Sequence, residues 1–365
     1  MPKAVSFIPH ARRIDRHRVD YLRAISEAMD DPFQTEDGRE MRGVQLELAN
    51  RCSDYNGVKY WQFTNCCTDA LQISIEALTK IGDTIIVPSY GWRAFANAVL
   101  FMERKLRFCD IDATGNIDLN QLADMIVKVK PAACIIVHNF GTVARVDQIE
   151  GICSRYGVHI IEDAAPAFYM GEPYTYIPGT KSSVACFSFD FTKYPGTLGS
   201  GGGICTNRKE VANTIYEISA HGRSKSKQVV RTGTKSYLDI TSCAVLLKEI
   251  ELFEQNNYRE HRRQIASWFN NNLPYECIPG ENYVWERYTM SVPSLEVNEV
   301  IDKLNSVKCL AKTFFKEPLH SLSWLNIEGD ECPKTTEFCN STVHLPCHHY
   351  LTKEECVRIL EALTW

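Results

Sequence analysis

The sequence predicts an α/β fold, in which a large doubly wound unit on a mostly parallel sheet precedes a smaller C-terminal α+β unit. Two features carry this reading. Between residues 71 and 206, short β-branched runs alternate with helical patterns, the rhythm of parallel βαβ units. From about Leu238 that rhythm stops and a long helical stretch begins. The 365 residues suffice for one large domain and a smaller one. The boundary is placed near residue 245, giving units 1–245 (with an N-terminal helical segment) and 246–365.

In chain order, Leu71 to Lys80 has helical spacing and stops before Gly82 and Asp83. Thr84 to Val87 reads as a short buried strand ended by Pro88, Ala94 to Met102 as a helix, and Leu106 to Cys109 as a strand. Leu119 to Val129 is amphipathic, Ala133 to Val137 a strand, and Gln148 to Tyr156 a helix. His159 to Ile161 forms a strand running into Glu162 and Asp163, and Val184 to Phe189 and Gly203 to Thr206 are two more. Beyond these come a helical stretch over Ile240 to Asn270, a strand at Tyr288 to Val292 and a helix at Glu296 to Asn305. The last helix spans Thr352 to Leu363, with Thr352 as N-cap and Glu355 completing a capping box.

Composition narrows the function classes. The chain is 44% hydrophobic and 23% charged, as soluble globular proteins are. A net charge of -5 speaks against a nucleic-acid binder. The basic cluster Arg223 to Arg231, with Lys225 and Lys227, reads first as a solvated loop and second as a loop that meets a phosphorylated ligand. Met1 to Asp20 has no apolar h-region, and no apolar run approaches the ~18 residues of a membrane span, so a cytoplasmic protein is expected. The fifteen Cys contain no C-x-x-C and read as reduced, mostly buried thiols. The ten His make no metal spacing, and His348-His349, beside Pro346, reads as a surface turn.

Four segments carry chemistry. Phe187 to Lys193 places a lysine just after an apolar strand, ahead of the glycines 199 and 201–203. A lysine partly removed from water is a nucleophile at neutral pH, though most strand-end lysines are solvated. Glu162-Asp163 puts an acidic pair at a strand end, facing the crevice where doubly wound sheets bind ligands. A carboxylate there can pair with a protonated pyridine nitrogen, or serve as a helix cap or metal ligand. Phe63 to Leu71 brings Thr68 and Asp69 to a helix start, suited to a phosphate or to an ordinary N-cap by Thr68. Pro88 to Ala94 offers Trp92 past a strand end, to stack on a flat ring or to fill a core.

Together, and in this order, the segments resemble the DegT/DnrJ/EryC1/StrS family of sugar aminotransferases, which are fold type I pyridoxal-phosphate enzymes. The likeness runs through Asn65-Cys-Cys-Thr-Asp-Ala-Leu71, Gly82 to Ser89, Cys109 to Asp112 with Asn116 to Asp118, and Val137-His-Asn-Phe-Gly141. It continues through Glu162-Asp-Ala-Ala165, Phe187 to Gly202, and Leu345 to Glu355. The resemblance implies that Lys193 bonds the cofactor, pyridoxal 5'-phosphate, and shuttles the proton. It implies that Asp163 pairs with the ring nitrogen and that Trp92 stacks on the ring. Thr68, the backbone at Asp69, and Ser188 would hold the phosphate, with Cys67 in the same turn. An amino group would pass from a donor such as glutamate to a keto-sugar carried on a nucleotide diphosphate, in a homodimer with shared active sites.

Three positions depart from the family pattern. Cys66-Cys67 replaces Ser-Gly, and a side chain at 67 narrows the phosphate turn. Pro166 replaces a Gln that contacts the ring hydroxyl. Lys235, in Gly233 to Asp239, replaces an Asn that the neighbouring subunit extends to the phosphate, and reads either as a charged contact in its place or as a solvated loop lysine. The substrate is expected to meet the loops Gly171 to Ser182 and His221 to Thr232. Alternatives within the resemblance are a ketocyclitol or free keto-acid sugar as substrate, a sugar dehydratase (disfavoured because such relatives carry His at the lysine position), and a catalytically silent regulatory module.

Overall fold

The structure is a computed structural model that describes residues 4–30, 43–168, 176–278, 284–325 and 330–364. Helices α1 (His10–Met29) and α2 (Val44–Asn56) lead into β1 (Tyr60–Thr64) and α3 (Cys67–Leu78). Then follow β2 (Thr84–Pro88), α4 (Ala94–Phe101), β3 (Lys105–Cys109), α5 (Leu119–Val129), β4 (Ala133–Val137), α6 (Val146–Cys153) and β5 (His159–Asp163). After β6 (Val184–Ser188), β7 (Gly202–Thr206) and α7 (Lys209–Ser219) come α8 (Ile240–Gln255) and α9 (Tyr258–Asn272). The chain ends with β8 (Arg287–Ser291), α10 (Val297–Ser306), α11 (Pro333–Asn340), β9 (Thr342–Pro346) and α12 (Lys353–Thr364).

The first seven strands form one sheet in the order β1-β7-β6-β5-β4-β2-β3. Of these, β7 runs against its two neighbours and the rest are parallel. The apolar runs that predicted the strands are continuous because both faces are covered. Ile85, Val87, Ile135, Val137 and Ile161 pack under α3 and α4. The alternate residues Ile86, Cys134, Ile136 and Ile160 pack with α5 and α6 on the other face. Because the strands share a direction, Thr64, Pro88, Val137, Asp163 and Ser188 reach one edge, where β7 begins at Gly202.

The expected helical stretch 240–270 is two helices. Asn256 and Asn257 interrupt it, and Asn257 takes φ +51°, a left-handed conformation that Asn tolerates better than most residues. Residue 245 lies inside α8, whose Val245 packs on Tyr21 of α1. The C-terminal elements have their own core. Phe269, Tyr288, Met290, Leu304, Leu345 and Ile359 surround the antiparallel pair β8–β9, and Val5 joins them by bridging Cys309. The expected capping box is formed: Thr352 N–H donates to Glu355 Oε2 at 3.0 Å, and Glu355 N–H to Thr352 Oγ1 at 3.3 Å.

His348-His349 is not a surface turn. Both rings are buried; His348 bonds the Ser6 carbonyl at 3.0 Å, and His349 stacks on Tyr258 at 3.8 Å between ring centroids. The reading as a turn weighed the nearby proline and missed that α1 and α9 close over this segment. All fifteen cysteines are free and twelve are buried. Among the described residues, no cluster could hold a metal ion, and no helix is long and apolar enough to cross a membrane.

Candidate active site

The shared edge of the sheet gathers the chemistry. At the end of β1 the chain turns into α3 through Cys66, which is the N-cap in place of the Thr68 that the sequence suggested. Its Sγ accepts the Asp69 N–H at 3.4 Å. Cys67, Thr68 and Asp69 therefore form the first turn, whose N–H groups and helix dipole favour an anion. The Asp69 carboxylate is occupied: Oδ2 accepts from Ser236 Oγ at 2.7 Å and from Asn65 Nδ2 at 3.0 Å. Buried Ser236 also takes the Asn65 N–H at 3.1 Å, pinning the segment before α8 to the turn. Ser188 sits one strand away, opposite Gly202, which in turn pairs with Thr64. A Cβ on Gly202 would run into the Cys66 carbonyl, so glycine is required there. The Cys67 side chain packs against the core beneath, within electrostatic reach of Asp163 and Lys193.

Glu162 and Asp163 do not both face the crevice, because successive residues of a strand point to opposite faces. Glu162, fully buried, accepts from His138 Nε2 at 2.7 Å, Tyr176 Oη at 2.8 Å and Gly179 N–H at 2.8 Å. His138 Nδ1 takes the Ala144 N–H at 3.1 Å, so Nε2 carries the proton given to Glu162. Asp163 faces the crevice. Its Oδ1 accepts the Ala165 N–H at 3.0 Å, and its Oδ2 meets no donor among the described residues. Burial pushes its carboxyl above the ordinary range, against the pull of the Ala165 N–H, Lys193 and His138.

Lys193 follows β6 and acts on both Asp163 and Cys67. Its ammonium lies 2.5 Å from Oε1 of Glu286, at the entry to β8. Burial acts to raise the Glu286 carboxyl, but Lys193 and Arg287 beside it prevail and hold it down at about 2. The backbone of the Lys193 segment is clamped by Arg13 of α1, which is fully buried. Its guanidinium donates to the carbonyls of Phe191 (3.1 Å), Gly196 (2.5 Å) and Thr197 (2.9 Å), and pairs with Glu249 of α8 at 3.3 Å.

Two expected residues sit farther out. Trp92 lies past the end of β2 with 57% of its surface exposed and the Arg93 guanidinium 5.0 Å from its ring. Lys235 touches the α3 turn by its carbonyl, which accepts from Asn65 Nδ2 at 3.3 Å, while its exposed ammonium lies 5.1 Å from the Tyr237 ring. Residues 223–231 form an exposed hairpin, with Arg223 bridging Val229. Of the expected loop 171–182, residues 171–175 lie outside the described residues. Sequence reading missed Glu286, Arg13 and Ser236. The charged pair Glu286-Arg287 opening an apolar strand was a signal for the first; Arg13 looked like one of many N-terminal charges.

An amine and an acid on neighbouring strand ends, beside a helix N-terminus and on this strand order, mark the chain as an α/β aminotransferase of fold type I. The model of the DegT/DnrJ/EryC1/StrS aminotransferase family matches residues 17–364. A UDP-2-acetamido-2-deoxy-3-oxo-D-glucuronate aminotransferase of Pseudomonas aeruginosa is 32% identical over 340 residues, covering 90% of this chain and 92% of that protein. A crystal structure of a DegT DnrJ EryC1 StrS aminotransferase from Brucella abortus matches with a TM-score of 0.87 at 26% identity, over 98% of each chain. NtdA from Bacillus subtilis, solved with the cofactor PMP bound, shares the fold with a TM-score of 0.89 at 24% identity, over 100% of this chain and 85% of that one. The chain belongs to the DegT/DnrJ/EryC1/StrS aminotransferase family.

Proposed function

We propose that this protein is a pyridoxal-phosphate-dependent aminotransferase that moves an amino group from glutamate to a keto-sugar carried on a nucleotide diphosphate. The observation that carries the reading is the meeting of Lys193 with Asp163 at the crevice edge of the sheet. The nucleotide-sugar substrate is supported by the Pseudomonas aeruginosa relative, whose name specifies a UDP-linked keto-sugar. The residues fit the cofactor: Asp163 Oδ2 meets no donor among the described residues, and the first turn of α3 offers N–H groups to a phosphate. When bound, the cofactor supplies a ring that accepts electrons from the reacting carbon.

In this reading Lys193 holds the cofactor covalently and moves the proton between the two carbons flanking the transferred nitrogen. Asp163 keeps the ring nitrogen protonated. Cys67, Thr68, Asp69 and Ser188 hold the phosphate through the α3 turn and its neighbour strand. Trp92 covers the ring and keeps water from it. Two copies of the chain form a cytoplasmic dimer, and Lys235 reaches the phosphate of the partner's site.

The test combines colour, trapping and substrate panels. Purified protein with pyridoxal phosphate takes on a visible absorbance band, and borohydride fixes the cofactor to Lys193 in a peptide found by mass spectrometry; Lys193→Ala loses both. Labelled glutamate then yields a labelled amino sugar from nucleotide-linked keto-sugars. Turnover confined to ketocyclitols or free keto-sugars would overturn the substrate assignment, and a colourless protein that takes up no cofactor would overturn the whole reading.

A further inference from the structure

Two carboxylates near the site, the buried Glu162 and the half-buried Glu286, are satisfied in different ways. Glu162 has three donors, all from groups with no part in the reaction: a histidine, a tyrosine and a backbone N–H. Among the described residues Glu286 has one close donor, the Lys193 ammonium at 2.5 Å. The Arg287 Nε stands off at 3.5 Å from its other oxygen. A buried carboxylate is ordinarily saturated with fixed donors. Glu286 instead depends on the nitrogen that the reaction uses.

Its position is fixed from the other side. Val284 N–H bonds the Gly141 carbonyl at 3.0 Å and Glu286 N–H bonds the Phe140 carbonyl at 3.2 Å. A Cβ on Gly141, which takes φ +87°, would press on Val284, so this approach needs the glycine. The loop after β4 thereby seats Glu286 opposite Lys193, while Arg13 seats the lysine backbone.

We propose that Glu286 is a third functional group of this active site, an anion that touches the reacting nitrogen of Lys193 and holds it protonated and aimed at the cofactor's reacting carbon. This rests on the assignment of Lys193 as the cofactor-bearing lysine. The groups that face the pair are Arg287 on β8 and Arg262 on α9, which favour the carboxylate, Asp163 on β5, which opposes it, and His344 on β9, whose imidazole burial and Arg287 push down. Cys67 on α3 and His138 after β4 stand next to Asp163. Lys193 and Arg287 hold the carboxyl well below its ordinary range, so Glu286 meets the lysine nitrogen as an anion and anchors it. The same proton, kept on that nitrogen when it is joined to the cofactor, makes the carbon more open to an incoming amine.

The experiment compares wild type, Glu286→Gln and Glu286→Asp, each with and without pyridoxal phosphate. With cofactor, absorbance is followed against pH. An opposite charge at this range favours the protonated form by about one to two pH units, so the midpoint of the visible band falls by that amount in Glu286→Gln. Without cofactor, Lys193 is labelled by an amine-reactive reagent at neutral pH and quantified by mass spectrometry. One pH unit is a tenfold change in free amine, so labelling of Glu286→Gln speeds up about tenfold. Glu286→Asp keeps the charge, draws it back and gives intermediate values in both; if Glu286→Gln does not fold, this variant decides. An unchanged midpoint together with unchanged labelling overturns the proposal. A protein that binds no pyridoxal phosphate sinks the cofactor reading, and the labelling series still judges Glu286.

Discussion

Replacing Arg13 by Met separates what holds the fold from what holds the lysine. The guanidinium is fully buried, pairs with Glu249 at 3.3 Å, and bonds Tyr21 Oη at 3.2 Å besides three carbonyls of the Lys193 segment. Removing one partner of a buried ion pair costs about 3–5 kcal/mol, because the other charge stays buried. Each abandoned carbonyl could add about 1 kcal/mol, but these losses share one network and do not sum. Met recovers part of the packing of the arginine stem. The expected loss is therefore about 3–5 kcal/mol, a large share of the 5–15 kcal/mol that holds a typical domain. In the double variant Arg13→Met, Glu249→Leu the stranded anion is gone, and most of the stability returns. The Lys193 segment remains unclamped, so cofactor affinity stays low in both variants. Denaturant midpoints and pyridoxal-phosphate titrations measure the two quantities separately. A single variant with a wild-type midpoint, or a double variant as unstable as the single, would refute the assignment of Arg13 as a buried clamp.

Acid should destabilise the fold from mild pH downward. Burial, aided by Arg287 for His344 and by Arg262 for His348, pushes both imidazoles down to about 3, and His349 is lowered by the same causes. A histidine held neutral in the fold contributes stability that is complete above pH ~6.5 and is lost as pH falls toward its folded value, at about 1.4 kcal/mol per pH unit per proton. Unfolding free energy measured between about pH 7 and 4 should show this slope, and His348→Gln should remove one proton's share. Glu286, lowered to about 2, adds a loss of its own as pH falls below its ordinary value near 4.5. Gly202→Ala should cost about 1–3 kcal/mol, because its Cβ meets the Cys66 carbonyl, and should weaken cofactor binding through the displaced α3 turn; thermal midpoint and cofactor titration check it. Lys235→Ala should weaken cofactor affinity severalfold while leaving the thermal midpoint unchanged, since its ammonium is exposed; unchanged affinity disposes of the partner contact.

The strands of the sheet were legible because burial on both faces leaves uninterrupted apolar runs; β4 spans the same residues in sequence and structure, Ala133–Val137. β1 escaped because Tyr60 to Thr64 includes Gln62 and lies at the sheet edge, and β9 because it ends in Pro346. The placement of Asp163 at a strand end and of Lys193 in the turn after a strand was legible because both strands were. Glu286 was not, because its partner is 93 residues away and the charged pair Glu286-Arg287 at the start of an apolar strand does not say what it faces. Arg13 was hidden for the same reason: an arginine among Arg12, Arg16 and Arg18 shows its burial only once α1 lies across α8 and the lysine segment. Periodicity reports which face of an element is covered; it does not report which charge is covered by what.

The adjacent acids Glu162 and Asp163 show what a binding site asks of a fold. They share a strand, so the same pleat that saturates one exposes the other. Glu162 has its donors built in, and nothing further is needed to keep it ionised. Asp163 is equally deep, yet among the described residues it has a single donor, and its carboxyl sits above the ordinary range. A second donor from the protein would act to lower it. Leaving it short of positive charge makes the site's affinity for a cation at that spot part of the fold's own electrostatics, because the arriving charge relieves a penalty already paid at folding. The same reasoning applies to Glu286, which among the described residues is met at close range by Lys193 alone. Two anions short of fixed donors flanking one amine are a costly arrangement for stability, and one that suits the cationic ring of the proposed function.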